Sequence, residues 1–199
     1  MIYMSNPLLL ATTNTGKIKE FRLLLKKSRY ALVTPEETGL CLSVTETGTS
    51  FRENALIKAK AYSTATNCLS LADDSGIEID ALGGLPGIHS ARYGGPGLTD
   101  KDRVNLVLSN MIHVPWNLRK ARFRTSIALA WPNGKYAVRE GVLEGVIEFE
   151  PKGTFGFGYD PIFYVPSFQC TVAELSDVQK SQISHRSKAA TKILKLLLI

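Results

Sequence analysis

The stretch that most constrains the fold is residues 71–95, LADDSGIEIDALGGLPGIHSARYGG. The apolar run 69–72 before its first carboxylate is typical of a short buried strand. The period-two pattern of Ile77, Ile79 and Ala81 predicts a second strand. Because only polar residues and one glycine separate the two, the sequence predicts that an apolar strand ends at a cluster of acidic and hydroxyl side chains.

Two interpretations of that polar segment remain open. Asp73, Asp74, Ser75 and Gly76 are residue types that favour turns, so the segment may be read as a plain turn between strands. Alternatively, carboxylates released at the end of a buried strand suit a hard cation such as Mg²⁺, which prefers oxygen ligands. Features elsewhere in the chain are needed to choose between the turn and the metal site.

The composition is that of a globular chain with one core. Of 199 residues, 44% are hydrophobic and 21% charged, which predicts a single domain over residues 1–199. The formal net charge of +6 favours an anionic partner. Because the basic residues are dispersed, a small phosphorylated ligand is as plausible as a polymer.

Cysteine usage and hydropathy bear on the compartment. Cys41, Cys68 and Cys170 are an odd number without a close pair, which argues against a disulfide framework and fits a reducing environment. The apolar run at residues 7–11 is too short for a signal peptide, and no run is long enough to span a membrane. We therefore expect a cytoplasmic protein with no membrane partner.

A polar loop follows the first predicted strand, residues 8–11. Ile18, Phe21 and Leu24 recur at helical spacing after it, so Asn14 or Thr15 can cap a helix. A loop at a helix N-terminus can bind an anion, and a lysine adds a mobile positive charge. The alternative is a capped helix with a solvated lysine. The loop consists of Thr12, Thr13, Asn14, Thr15, Gly16 and Lys17.

The next segment combines a predicted strand at residues 40–44 with an acidic loop. Ser50 and Glu53 have capping-box spacing, and a stripe of small apolar residues predicts a helix packed closely on a sheet. Glu46 lies in the loop before this helix. Its carboxylate either joins a metal site or is simply solvated.

Alternating residues predict a long hairpin with strands 121–131 and 136–149 around a turn at 132–134. Gly141 and Gly145 suggest bends or bulges in the second strand. The hairpin would carry one lobe of the sheet or a dimer surface. The predicted fold class is α/β: a single two-lobed domain with a mixed twisted sheet flanked by helices.

Residues 152–166, KGTFGFGYDPIFYVP, alternate glycines with aromatics. Flexible backbone beside Phe157 and Tyr159 suits a flat ring stacked on an aromatic face, although aromatics at a strand entry are often core residues. Near the C-terminus, His185 and Arg186 fall in the first turn of a predicted helix. Cations are unfavourable there unless an anion is present, and either a phosphate or a carboxylate would supply it.

Five blocks, in order, resemble the inosine/xanthosine triphosphate pyrophosphatases, which hydrolyse non-standard purine nucleoside triphosphates. The blocks are LLLATTNTGKIKEF, ETGTSFRENALIKAKAY, LADDSGIEIDALGGLPGIHSARYGG, GTFGFGYDPIFYVP and AELSDVQKSQISHR. Together they cover nearly the whole chain. The resemblance implies that family's fold, a Mg²⁺ cofactor, a nucleoside triphosphate substrate and a homodimer.

The resemblance also implies roles for particular residues. Asp74 is implied as the catalytic carboxylate and a metal ligand, and Glu46 as the second ligand, with Asp73 supporting the site. The implied substrate-binding residues are Thr12, Thr13, Asn14, Thr15, Gly16, Lys17, Ser75, Phe157, Gly158, Tyr159, Asp160, Lys180, His185 and Arg186.

The resemblance implies that water attacks the α-phosphorus, that Asp74 helps to deprotonate it, and that pyrophosphate leaves. One rival is a pyrophosphatase with another base preference, such as the Maf-like pyrimidine enzymes, but the FGYD and SHR segments favour a purine. The other rival is a nucleic-acid-binding module, for which the chain shows no RNA-binding aromatic signature. We therefore expect no nucleic acid polymer as partner.

Overall fold

The computed structural model describes residues 6–26 and 28–197. Seven strands and five α-helices lie within them, joined by turns and short 3₁₀ segments. In chain order they are β1 (Asn6–Leu10), α1 (Thr15–Leu24), β2 (Tyr30–Val33), α2 (Phe51–Thr66), β3 (Leu69–Ile79), α3 (Asp100–Asn110), β4 (Lys120–Ala130), β5 (Tyr136–Ile147), β6 (Phe163–Val165), β7 (Cys170–Thr171), α4 (Asp177–Ile183) and α5 (His185–Leu197). No helix of this described part is long and apolar enough to cross a membrane.

The strands form a mixed sheet in the order β2-β1-β3-β4-β5-β6-β7. β1 pairs in parallel with both β2 and β3, whereas β6 pairs antiparallel with β5 and β7. The predicted α/β class with a mixed sheet is confirmed. The predicted hairpin is confirmed as β4 and β5, and Gly134 takes a positive φ of 84° in its turn.

The chain divides into two compact units. The first unit contains the residues up to 74, residues 125–141 and the residues from 186 on. The second unit contains residues 75–124 and 142–185.

Helices cover both faces of the sheet in the first unit. Alternating side chains point to opposite faces of a strand, so Leu8 and Leu10 pack with α1 and α5 while Leu9 packs with α2. The prediction of a strand at residues 40–44 was wrong. Among the described residues, this segment pairs with no strand and instead packs its apolar side chains beside α2. There the Tyr62 hydroxyl donates to the Leu42 carbonyl at 3.0 Å.

One core fills the second unit, and its buried residues include Val104 and Val107 of α3 and Met111, which directly follows that helix. Thr99 caps α3 in a capping box with Asp102. Gly145 is explained by a close approach: a Cβ there would lie 2.4 Å from the Phe163 ring and 2.5 Å from the Tyr164 carbonyl.

The prediction that an apolar strand ends before Asp73 was wrong. β3 is one continuous strand of 11 residues, so Asp73 and Asp74 lie in its middle and no turn follows them. A buried carboxylate is costly unless it is paired, and cations from the surrounding helices supply the pairing in this strand.

Candidate active site

The first unit contains a charged cluster, built around the two adjacent aspartates of β3. Because successive side chains of a strand alternate, the two point to opposite faces of the sheet. Asp73 shares the face of Leu71, which packs with α1 and α5. Asp74 shares the face of Ala72, which packs with α2.

Two cations meet the Asp73 carboxylate. Lys17 Nζ lies 3.0 Å and Arg186 Nε 3.2 Å from Asp73 Oδ2. Burial acts to raise the pKa of Asp73, but the charges of Lys17 and Arg186 outweigh it and hold that pKa well below its usual range. Asp73 is therefore a permanent anion at neutral pH, and it ties α1 and α5 to the sheet.

The expectation that Lys17 is solvated without a ligand was wrong. Its side chain is only 15% exposed, because it reaches from the first turn of α1 to Asp73. Burial lowers the pKa of Lys17, and the attraction of Asp73 offsets that only in part. A further anion bound beside Lys17 would therefore stabilise the charged form of this side chain.

Arg186 is held by two carboxylates. Besides Asp73, its Nη1 bonds Glu20 Oε2 of α1. The sequence left open whether a phosphate or a carboxylate offsets a cation in the first turn of α5, and the structure places carboxylates there. Glu20 was missed, although it stands three residues after Lys17 and so on the same face of α1.

Lys58 of α2 lies beside the other aspartate, Asp74, and the sequence did not identify it as a site residue. Its Nζ lies 2.7 Å from Glu46 Oε1 and 3.7 Å from Asp74 Oδ1, and it donates to the Asp73 carbonyl at 2.7 Å. Its spacing could have identified it, because Lys58 stands three residues after the buried Ala55 and so on the same face of the helix. A lysine on the buried stripe of a helix needs a carboxylate partner.

The two adjacent aspartates have pKa values shifted in opposite directions. Burial raises the pKa of Asp74, and repulsion by Glu46 adds to that, while Lys58 and Lys17 oppose it. Burial opposes the charge of Lys58, but Asp74, Asp73 and Glu46 raise its pKa overall. Asp74 is consequently better suited than Asp73 to accept a proton.

These residues fit a hard divalent cation. Among residues 6–26 and 28–197, no group of three histidine, cysteine or acidic side chains forms a closed metal site. However, Mg²⁺ commonly takes one or two carboxylates and completes its shell with waters and phosphates. Glu46 and Asp74 both approach the Lys58 ammonium, and Asp74 Oδ2 is buried without a hydrogen-bond partner in the described chain.

The loop before α1 is an open helix N-terminus. Asn14 caps the helix by accepting from the Lys17 N–H at 3.0 Å, and the Thr12 hydroxyl accepts from the Asn14 N–H at 3.2 Å. Thr13 and Thr15 are exposed, and Gly16 is partly buried. The first N–H groups of a helix have no acceptor within it, so those of Thr15 and Gly16 can take an anion.

The second unit holds the other predicted residues around one buried ion pair. Lys180 Nζ contacts Asp160 Oδ2, and both side chains are buried. The same Asp160 oxygen accepts from the Phe157 N–H at 2.9 Å, and Lys180 Nζ lies 4.8 Å from the Phe157 ring centroid. Gly156 has φ +79°, and a Cβ on it would lie 2.0 Å from Asp160 Oδ2.

The aromatics of this segment divide between core and surface. Tyr159 is buried, and its hydroxyl donates to the Ser90 carbonyl at 2.9 Å. Phe157 is only partly buried, so its ring can stack on a base. Asp100 of α3 accepts from the Gly158 N–H at 2.8 Å and so fixes the intervening backbone.

Two predicted residues lie near the limits of the second unit. The His185 ring is buried and stacks on Phe123 with centroids 5.0 Å apart. Ser75 follows Asp74 in β3 and is half-buried. Two groups of predicted residues are thus brought together. Lys17, Glu46, Asp74 and Arg186 join the charged cluster of the first unit. In the second unit, Asp160 pairs with Lys180 and directly follows Phe157, Gly158 and Tyr159 in the chain.

Comparison with known proteins places the chain in a family. Residues 8–196 match the model of the Ham1 family. The chain is 47% identical to a dITP/XTP pyrophosphatase of Halalkalibacterium halodurans, over 95% of this chain and 97% of that protein. It is 44% identical to a dITP/XTP pyrophosphatase of Bacillus subtilis, over 99% of each.

Solved structures agree with these matches. A HAM1 protein from Coxiella burnetii superposes with a TM-score of 0.87 at 40% identity, covering 97% of this chain and 98% of that one. The Staphylococcus aureus Ham1 protein gives a TM-score of 0.85 at 38% identity, over 96% and 98%. The chain therefore belongs to the Ham1 family.

Proposed function

We propose that this protein hydrolyses non-standard purine nucleoside triphosphates (ITP, dITP and XTP) to the nucleoside monophosphate and pyrophosphate. The observation that carries the proposal is Asp74, a buried carboxylate with a raised pKa, set beside the cations Lys58 and Lys17. The dITP/XTP pyrophosphatases that resemble the chain over nearly its whole length support the substrate class.

The triphosphate binds at the start of α1. The N–H groups of Thr15 and Gly16 donate hydrogen bonds to phosphate oxygens, and Thr12, Thr13 and Asn14 shape the loop. Lys17 adds a charge-assisted bond to the phosphates. Arg186, held by Asp73 and Glu20, contributes positive charge to the same cluster.

Asp74 accepts the proton of the attacking water. The oxygen of that water bonds to the α-phosphorus, the bond from the α-phosphorus to the bridging oxygen breaks, and pyrophosphate leaves with both electrons of that bond. We propose Glu46 and Asp74 as the holders of Mg²⁺, which when bound neutralises phosphate charge and favours ionisation of water. Lys58 keeps these two carboxylates together.

The purine is held by the second unit. The Phe157 ring stacks on the base, while Gly158, Tyr159 and Asp160 fix the backbone around it. A hydrogen-bond donor on the protein can pair with the 6-oxygen of hypoxanthine or xanthine. Adenine presents an amino group at that position, so the same donor would be left unpaired. The Lys180 ammonium beside Phe157 is the donor we assign, with Ser75 and His185 completing the nucleotide pocket.

The remaining assignments rest on the family resemblance. We propose one catalytic domain over residues 1–199, a homodimer in solution and a cytoplasmic location. Light scattering at several protein concentrations tests the dimer, and a mass equal to one chain at all of them would refute it.

A product assay over a panel of triphosphates tests the function. With Mg²⁺ present, XTP, ITP and dITP should release pyrophosphate, whereas ATP, GTP and the pyrimidine triphosphates should react far more slowly. In ¹⁸O water the label should appear in the monophosphate. Orthophosphate and a diphosphate as main products, or label only in pyrophosphate, would refute the proposal.

A further inference from the structure

Asn54, in the first turn of α2, is a fully buried amide that holds the loop carrying Glu46. Its Oδ1 accepts from the Gly48 N–H at 2.8 Å, and its exposed fraction is 0%. Gly48 fits so closely that a Cβ there would lie 2.7 Å from Asn54 Oδ1 and 2.6 Å from Glu53 Cβ. The chain two residues beyond Glu46 is therefore fixed on α2.

Glu53 holds the same loop by an independent contact. Its Oε2 accepts from the Thr49 N–H at 2.7 Å and from the Thr49 hydroxyl at 3.0 Å. Glu53 is exposed, and Asp74 is not among the groups that act on its pKa. It therefore offers a matched control, since it anchors the loop without reaching the catalytic carboxylate.

The other end of the Asn54 amide faces Asp74. Asn54 stands one turn before Lys58 on the same face of α2, and Lys58 Nζ lies 3.7 Å from Asp74 Oδ1. In agreement with this placement, the amide acts to lower the pKa of Asp74. Yet Asn54 Nδ2 and Asp74 Oδ2 are both buried, and within the described ranges neither meets hydrogen-bond geometry with any partner. A buried donor and a buried acceptor left unpaired are each costly. A hydrogen bond between the two would recover that cost.

We propose that Asn54 is a positioning residue that couples the Glu46 loop to Asp74. Oδ1 keeps the Gly48 N–H, and Nδ2 donates to Asp74 Oδ2 when the triphosphate is bound, which leaves Asp74 Oδ1 directed at the reacting water. The inference rests on the proposed function, because it assigns Asp74 as the base. It adds a residue to which the family resemblance gave no role.

Kinetics of two Asn54 variants test both ends of the amide. Asn54→Leu removes both contacts, whereas Asn54→Asp keeps an acceptor for Gly48 and removes the donor to Asp74. Both should lower kcat for XTP by about 10–100-fold, the usual cost of losing a group that orients an active-site ligand, with KM little changed. Glu53→Ala and Ser63→Ala should retain kcat. Ser63 is a buried residue of the same helix whose hydroxyl bonds the Cys68 carbonyl at 2.8 Å.

Side-chain amide NMR gives a readout without turnover. The Asn54 signal is the one that disappears in Asn54→Asp. On adding Mg²⁺ with an α,β-methylene analogue of XTP, this signal should shift and its protons should exchange more slowly with water. Glu53→Ala should preserve that response.

The outcomes separate the inference from the function on which it rests. Normal kcat in Asn54→Asp, or an Asn54 signal unmoved by the analogue, would overturn the coupling to Asp74 even if Asn54→Leu were impaired. An equal loss of kcat in Glu53→Ala would also overturn it, because loop anchoring alone would then explain the effect. If the wild type releases no pyrophosphate from XTP, the proposed function fails instead.

Discussion

The two units arrange their buried charged side chains in different ways. The first unit gathers Lys17, Lys58 and Arg186 around Asp73, Asp74 and Glu46, so its site is a network in which each cation has a carboxylate partner. The second unit buries the ion pair of Lys180 with Asp160 beside the Phe157 ring. A charge network suits phosphates, which all nucleoside triphosphates share. One fixed donor beside a ring suits the base, in which they differ.

This comparison makes a general prediction about substitutions. Changes in the charged cluster should slow every triphosphate by the same factor. Changes around Lys180 should alter the preference between bases. The experiments below, from the largest expected effect to the smallest, test whether the two units divide the work in this way.

Asp74→Asn should have the largest effect on turnover. It removes the proton acceptor while keeping the size of the side chain, and loss of a general base typically costs ~10²–10⁴-fold in kcat. Lys58 keeps Glu46 and the Asp73 carbonyl as partners, so thermal stability should change little. The kcat at saturating Mg²⁺ should fall equally for XTP, ITP and GTP. A variant with most of its activity would show that Asp74 is structural.

Asp73→Asn should act mainly on stability. It leaves Lys17 and Arg186 without their shared partner, and breaking a buried ion pair costs about 3–5 kcal/mol of unfolding free energy. Because the folded-state pKa of Asp73 lies below its usual 3.8, this stabilisation is complete above the unfolded-state value and is lost as the pH falls through the folded-state value.

Urea unfolding of Asp73→Asn and wild type over a pH series measures this effect. The difference in unfolding free energy should be constant near neutral pH and should shrink below about pH 4. A difference that grows on acidification would contradict the assigned direction of the pKa shift.

Lys17→Ala should weaken turnover by a smaller factor. A hydrogen bond to a charged group contributes about 1.5–3 kcal/mol, so kcat/KM should fall by roughly 10–100-fold for every triphosphate. Arg186 still pairs with Asp73, so the fold should persist. The exposed Lys26 offers a control, since Lys26→Ala should leave kcat/KM unchanged. A normal kcat/KM in Lys17→Ala would mean that the phosphates bind elsewhere.

Tyr159→Phe should have the smallest effect. The change removes one hydroxyl bonded to the Ser90 carbonyl, a loss of about 1 kcal/mol in stability. Because Tyr159 lies in the core, kcat/KM and base preference should hardly change. A large shift in the XTP to GTP ratio would show instead that Tyr159 touches the base.

The sequence was informative where local rules decide the structure. Asn14 was one of two residues expected to cap the first helix, Ser50 was expected to cap the second from its spacing, and the β4–β5 hairpin was expected from its alternation. The sequence failed at Asp73 and Asp74, because turn preference favours a loop there. Their pairing depends on Lys17, Lys58 and Arg186, which are distant in sequence, and only the tertiary fold brings these charges together.

The same reason explains the missed residues of the site. Lys58, Glu20 and Asn54 lie within helices that were identified correctly, but helical periodicity does not reveal what a polar side chain on a buried face will meet. Conversely, Tyr159 stood out by its glycine-rich surroundings, yet packing made it a core residue with a bonded hydroxyl. Motifs identified the regions of the site, and packing assigned the contacts within them.

The most direct test of this division of labour compares base preference in two variants. We would measure kcat/KM for XTP and for ATP in wild type, Lys17→Ala and Lys180→Met. Lys17→Ala should lower both values and preserve their ratio. Lys180→Met should reduce the ratio by roughly 10–100-fold, because it removes the donor to the 6-oxygen. Circular dichroism would verify that both variants are folded. An unchanged ratio in folded Lys180→Met, or a changed ratio in Lys17→Ala, would contradict the separation of phosphate and base recognition.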